Sequence, residues 1–336
     1  MENMPHGVWG WEDLMKKPTK KDWLIYEVLA AKSRALVYAD SGVGKTFTLL
    51  DMALHIATGL PWQGRAVKQG PVYYLAAENA ELFSERMQAW EKEHRGGARW
   101  MRAHPGEPVP IYVFYDGVDL SSDAAMEATL AKLGPAQLVV IDTVMASMGG
   151  LDIKDPHQIA LALTQGRHIM ETTGGAVLFV THTPEGGQGP IGGSAWRGGT
   201  QTRMYLTRQR PGIKGNVGED AHFQDRDTIT LACKKQSGAP QFSDIVIPVR
   251  LVKPPHADLS VPVLVSQKGR GRSQSGSPAP KLRMVPSEGW PAFYAAHGWN
   301  VNEVARLTNR APAAVRKDMQ RKGRPVTEEM CEDVPA

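Results

Sequence analysis

The segment Ala39-Asp40-Ser41-Gly42-Val43-Gly44-Lys45-Thr46 has the residue types and spacing of a phosphate cradle. Gly42 and Gly44 let backbone N–H groups curl around phosphate oxygens with no Cβ in the way. A helix opening at Lys45 adds the partial positive charge of its N-terminus. The Lys45 ammonium would reach the β- and γ-phosphates of a nucleoside triphosphate, and the Thr46 hydroxyl would ligate Mg²⁺. Ser41, Gly42, Val43, Gly44, Lys45, Thr46 and Phe47 are therefore the expected nucleotide-binding residues. Ala39 stands where such motifs usually have their first glycine; the position ends a strand, and alanine is a mild change there.

Three more polar residues follow apolar runs. The run 138–141 ends in Asp142, placed to hold Mg²⁺ with Thr46. An aspartate at a strand end can also cap a helix or a turn; beside a phosphate cradle the metal role is the stronger expectation. The run 72–76 leads to Glu78, which would polarise an attacking water or, in the plainer alternative, cap the following helix. The strand 177–181, expected beside the Asp142 strand, is followed by His182, which could sense the γ-phosphate and signal to 183–199. A lone histidine at such a point can also be purely structural.

These residues need a frame that brings distant strand ends together. Short apolar runs at 35–39, 72–76, 111–114, 138–141 and 177–180 are too short and too β-branched for helices and read as buried strands. Amphipathic stretches at 45–58, 81–94, 122–133 and 156–172 separate them, and Gly59 stops the first. Alternation of this kind predicts an α/β fold: a mostly parallel central sheet with helices on both faces. In such a sheet the strand C-terminal ends share one ligand-binding edge. Further strands are expected at 202–206, 228–233 and 245–252, after a glycine-rich loop over 183–199.

The 336 residues suffice for one such domain and a small appendage, divided as an ATPase core with its lead-in (1–265), a basic Gly/Ser/Pro linker (266–289), a helical unit (290–325) and an acidic tail (326–336). No apolar run approaches the ~20 residues of a membrane span, and the first residues lack the pattern of a signal peptide. Two cysteines, Cys233 and Cys331, without metal spacing point to a cytoplasmic, reducing setting rather than a disulfide scaffold. Between Lys268 and Arg324 there are twelve Lys or Arg against three acids, so a polyanion is the expected partner of that region.

The ordered set Ala39–Thr46, Tyr74-Leu-Ala-Ala-Glu78, Val139-Val-Ile-Asp142-Thr143 and Phe179-Val-Thr-His182 resembles the RecA-like P-loop ATPases. With Gly193-Ser-Ala-Trp-Arg197, Thr202-Arg203 and Lys234-Lys-Gln-Ser-Gly, it resembles more closely the RepA-type hexameric replicative helicases of plasmids and phages, over roughly residues 8–255. The resemblance implies ATP and Mg²⁺ as ligands and a homo-oligomeric ring, expected as a hexamer, with nucleotide between neighbours. It implies that Lys45, Thr46, Glu78 and Asp142 act within one subunit. Arg203 matches the arginine finger that reaches a neighbour's γ-phosphate, with Lys234 beside it; Arg197 and Arg208 are the alternatives. Single-stranded DNA would pass the glycine-rich loop.

Residues 300–319 have helix-turn-helix spacing, with Arg316, Lys317, Arg321 and Lys322 suited to phosphates. Duplex DNA or a replication protein is the expected partner there. The leading expectation is a DNA-dependent ATPase motor of replicative helicase type. The alternatives are a nucleotide-switched DNA-binding regulator and a RecA-like recombination or repair ATPase.

Overall fold

A computed structural model describes residues 10–16 and 21–266, apart from 185, 186, 188, 214, 218–220 and 256. The expected linker from 267 onward, the 290–325 unit and the acidic tail lie outside the described residues.

After a short helix α1 (Trp11–Lys16), the ribbon β1 (Trp23–Ile25) and β2 (Leu29–Ala30) leads into a nine-stranded sheet. Its strands are β3 (Arg34–Ala39), β4 (Val72–Ala76), β5 (Ile111–Phe114), β6 (Leu138–Asp142), β7 (Ala176–His182), β8 (Thr202–Gln209), β9 (Thr228–Gln236), β10 (Ile245–Val252) and β11 (Val261–Leu264). The order is β11-β10-β9-β8-β3-β7-β6-β4-β5. Strands β3 to β8 are mutually parallel, whereas β9, β10 and β11 join by antiparallel pairing. The division follows from the residues. All five positions of β6 are buried, as a strand covered on both faces requires, while β8 alternates buried and half-buried positions.

Helices α2 (Lys45–Thr58) and α3 (Phe83–His94) contribute to a core on one face of the sheet, and α4 (Gly96–Ala103) packs against both helices. On the other face are α5 (Asp123–Leu130), α6 (Pro156–Thr173) and α7 (Ala195–Gly199). The mostly parallel α/β architecture with helices on both faces is therefore as expected. Gly59 ends α2 with φ 72°, as expected of a left-handed C-cap. Asp155 caps α6 by accepting from His157 N at 2.9 Å.

Some boundaries differ from expectation. The helix expected over 81–94 starts with a 3-10 turn, Ala80–Leu82, before α3. Helix α4 opens on Gly96-Gly97, a poor start by local propensity. Its free N–H groups at Gly97 and Ala98 are met instead by the Glu91 carboxylate of α3, at 2.7 and 3.0 Å. The expected loop 183–199 ends in the helix α7.

Helix α6 lies close to β7 because residue 166 is glycine: a Cβ there would overlap the Phe179 ring, which is fully buried and packed on Trp196. Gly166→Ala is therefore expected to destabilise the fold by ~1–3 kcal/mol through overpacking, despite the better helix propensity of alanine. The urea midpoint measures it.

A polar cluster lies within the first core. The buried Asp51 carboxylate of α2 accepts from Trp62 Nε1 and Trp90 Nε1, each at 2.9 Å. His55 Nδ1 stands 3.3 Å and His94 Nε2 3.8 Å from its Oδ1. His94 Nε2 also donates to Leu264 O at 2.8 Å, tying α3 to the edge strand β11.

Candidate active site

Strands β3, β4, β6 and β7 are adjacent and parallel, so their C-terminal ends meet at one edge. Pairing matches Ala39 with His182 and Ala76 with Asp142. Polar groups from four segments distant in sequence thereby face one cleft of about 280 Å³, lined by Lys45, Thr46, Glu78, Asp142 and His182 together with Ser41, Gly42, Gly44 and Phe47. Of the expected nucleotide-binding residues, Val43 differs: its side chain is buried in the core, which leaves only its backbone to the loop.

The loop turns back through Gly44, whose φ of 106° favours glycine. A Cβ there would lie 2.8 Å from Ile229 Cδ1 and 2.9 Å from Phe223 Cζ. Glycine is thus required both by the turn and by the close approach of the β8–β9 connection.

Lys45 is buried, and its ammonium donates to Asp40 O at 2.9 Å and Ala39 O at 3.2 Å. It also stands 3.1 Å from His182 Nδ1. An ammonium has only donors, so Nδ1 accepts and the proton of neutral His182 sits on Nε2. Burial, and then the Lys45 charge, hold the His182 pKa below the ordinary histidine value. His182 continues into the following loop: its carbonyl accepts from Ile191 N at 2.9 Å. The next residue, Thr183, donates to the Asp40 carboxylate and, through its N–H, to Ala39 O at 3.2 Å. The phosphate loop and the segment after β7 are therefore directly hydrogen-bonded.

Thr46 Oγ1 donates to Asp142 Oδ2 at 2.8 Å, and Tyr74 OH donates to the same oxygen at 2.7 Å. Burial pushes the Asp142 carboxyl upward, against the Tyr74 and Thr46 hydrogen bonds and the Lys45 charge. Burial and Asp142 together hold the Tyr74 phenol well above its usual value, so it remains a donor. A hydroxyl and a carboxylate converging at the mouth of a phosphate loop form a hard oxygen set that fits Mg²⁺. That ion keeps waters and nucleotide oxygens as its other ligands, so it needs few side chains.

Glu78 is exposed at the cleft, and its Oε1 accepts from Thr143 Oγ1 at 2.9 Å. Thr143 follows Asp142, so a single backbone segment carries the Asp142 carboxylate and the hydroxyl that bonds Glu78.

Three contributors to the cleft escape a reading of strand ends. Arg86 projects from α3, its guanidinium 4.9 Å from the Phe47 ring centroid. Its pKa is lowered by burial, against the pull of Tyr74, Asp142, Glu81 and Glu85. Asn79 lines the same wall. Phe223 comes from the β8–β9 connection and stands edge-on to Phe47 at 5.5 Å. Gly42, Phe47 and Phe223 also border an adjoining hollow of about 440 Å³.

Arg203 does not line this cleft. It sits in β8, paired with Leu36 and Lys235. Burial lowers the Lys235 pKa, and the nearby Arg203 and Arg197 charges lower it further. Lys234 Nζ lies 5.5 Å from the Tyr205 ring centroid. Arg208 is different: it is buried, donates to Ala221 O at 2.7 Å and stacks 4.3 Å from the Phe223 ring centroid.

A family model for the AAA domain matches residues 2–188, more than half of the chain. The chain belongs to this AAA-domain family. This AAA-domain protein is a P-loop ATPase, and the matched region contains Lys45, Thr46, Glu78, Asp142 and His182 but ends before Arg197 and Arg203. Among solved structures, the chain is similar to the KaiC-like protein PH0186 from the archaeon Pyrococcus horikoshii OT3. The identity is 16%, the match covers 74% of this chain and 100% of that one, and the TM-score is 0.42. No curated protein matches the AAA-domain chain. Among the described residues, no helix is long and apolar enough to cross a membrane.

Proposed function

We propose that this ATPase drives a ring-forming, DNA-dependent motor of the replicative helicase type, with nucleotide held between neighbouring copies. The observation that carries the reading is the cleft itself. It joins a phosphate-binding lysine, a Thr46–Asp142 pair for Mg²⁺, and a Thr143-oriented Glu78, but the Arg197–Arg203–Lys235 cluster lies outside it. A cationic group absent from its own cleft is what a site completed by a neighbour requires.

In this reading Lys45 and the backbone of 41–46 hold the phosphates, and the nucleoside extends over Phe47 and Phe223. Thr46 and Asp142 would hold Mg²⁺, which when bound would offset the charge of the phosphates. Glu78, held by Thr143, takes up the proton of a water attacking in line with the leaving oxygen. The proton on His182 Nε2 is available to a phosphate oxygen, and the bonds from His182 and Thr183 carry that contact into 183–199. Arg203 of a neighbouring copy meets the charge developing on the transferred phosphoryl. The buried, internally bonded Arg208 is less suited to that task. The basic stretch 268–324 supports DNA as the partner.

Complementation tests the reading. Arg203→Ala is expected to lose about 10³-fold or more of DNA-stimulated turnover, and Glu78→Gln ~10²–10⁴-fold. A mixture should regain activity, because an Arg203→Ala cleft can receive the arginine of a Glu78→Gln neighbour. A mixture no more active than its parts would reject the shared site. Unwinding of a forked duplex by wild type, lost in Lys45→Ala, separates a helicase from a nucleotide switch.

A further inference from the structure

The two oxygens of the Asp142 carboxylate are held unequally. Its Oδ2 accepts from Thr46 Oγ1 at 2.8 Å and from Tyr74 OH at 2.7 Å. A carboxylate oxygen offers about two acceptor sites, so these two donors fill Oδ2. Among the described residues no side chain donates to Oδ1. The Thr46 hydroxyl can give its proton to Oδ2 while a lone pair faces an ion. Tyr74 does not line the cleft, so its bond to Asp142 needs a different reason.

Tyr74 is fully buried on β4 and pairs with Val140, two residues before Asp142 on β6. Cross-strand partners share a face and every second residue returns to it, so the Tyr74 ring lies on the face that Asp142 uses. The ring stands edge-on to Phe83, with centroids 4.9 Å apart. Close packing leaves the phenol little freedom, and it reaches Asp142 from within the core. The preceding Tyr73 points to the opposite face. There it stacks on Tyr112 at 5.2 Å, and its hydroxyl accepts from Gly134 N at 3.0 Å.

The consequence concerns which cation the pair accepts. Mg²⁺ is small, demands a near-ideal octahedron and keeps several waters, so one carboxylate oxygen suffices for it. Ca²⁺ takes about six to eight oxygens in a flexible shell and often draws on both oxygens of a carboxylate. With Oδ2 filled, Asp142 has one oxygen to offer. We infer that Tyr74 is a positioning residue that limits Asp142 to a single available oxygen and so sets the preference of the cleft for Mg²⁺ over Ca²⁺. The inference rests on the reading of Thr46 and Asp142 as the Mg²⁺ pair. It gives Tyr74 a role exerted through Asp142, without contact to nucleotide.

The test measures the affinity of the full chain for AMP-PNP, a slowly cleaved ATP analogue, by calorimetry in EDTA, in Mg²⁺ and in Ca²⁺. Wild type should gain more affinity from Mg²⁺ than from Ca²⁺. Tyr74→Phe keeps the buried ring and removes the hydroxyl, so its affinity in EDTA should hold. The ratio of the Mg²⁺ gain to the Ca²⁺ gain should fall about tenfold or more. Tyr73→Phe, which loses a hydroxyl on the other face, should leave that ratio unchanged. An unchanged ratio in Tyr74→Phe would overturn the inference, and so would a wild type with no preference for Mg²⁺. A Tyr74→Phe chain weakened equally in all three solutions would make the tyrosine structural only and would overturn it too. Asp142→Asn tests the underlying reading separately: it should lose most of the gain from either ion. If it keeps that gain, the metal pair itself fails, whatever Tyr74→Phe shows.

Discussion

Lys45→Ala is expected to reduce ATP turnover by ~10²–10³-fold or more and to weaken ATP binding markedly. The reason is geometric. Lys45 is buried, and its ammonium is held at the floor of the cleft by the Asp40 and Ala39 carbonyls and by His182. Among the described residues lining the cleft the other cation is Arg86, which stands against the Phe47 and Phe83 rings on the α3 wall. Loss of Lys45 also removes a charge that holds His182 neutral and helps Asp142 ionise. The fold should survive, since the ammonium bonds carbonyls and a histidine of the cleft rather than groups of the apolar core. Nucleotide titration and phosphate release by the folded variant measure both effects.

Asp51→Ala is expected to destabilise the chain by at least ~3 kcal/mol, lowering the melting temperature by about 6–12 °C. The carboxylate accepts from two indoles and faces His55, all in the core, so alanine strands several buried donors. The cluster also makes stability depend on pH in two opposed ways. Burial works to lower the His55 pKa, but the Asp51 carboxylate and carbonyl prevail and raise it above 6.5. Its contribution is therefore complete below 6.5 and lost as pH rises through the higher folded value. Burial lowers the His94 pKa, with His55 opposing its protonation and Asp51 favouring it. His94 must take up a proton on unfolding below 6.5, so its contribution falls as pH drops through that window. Urea midpoints from pH 5 to 9 should show a broad maximum, and Asp51→Ala should lose its alkaline slope.

The half of the site built from strand ends was legible in the sequence, because each of Glu78, Asp142 and His182 directly follows a nearly unbroken apolar run. Such runs can only be strands buried on both faces, and parallel strands bring their ends to one edge. Arg86 and Phe223 were not legible. One arrives from a helical face, and the other from a connection pinned by the buried Arg208, with no local pattern marking either. Helix α4 was missed because its N-terminal cap comes from Glu91 in the preceding helix rather than from its own first residues. Asp51 and His55 look like solvent-facing positions of an amphipathic helix. They are buried because Trp62, Trp90 and His94 converge on them from outside that helix.

In the proposed reaction this cleft hydrolyses ATP with Glu78 as the group that activates water. Single-turnover release of γ-phosphate from Mg²⁺-ATP, by wild type and Glu78→Gln with nucleotide affinity measured in parallel, tests it most directly. Glu78→Gln is expected to bind ATP within a few-fold of wild type while cleavage slows by ~10²–10⁴-fold. Cleavage at the wild-type rate by the glutamine variant would contradict it.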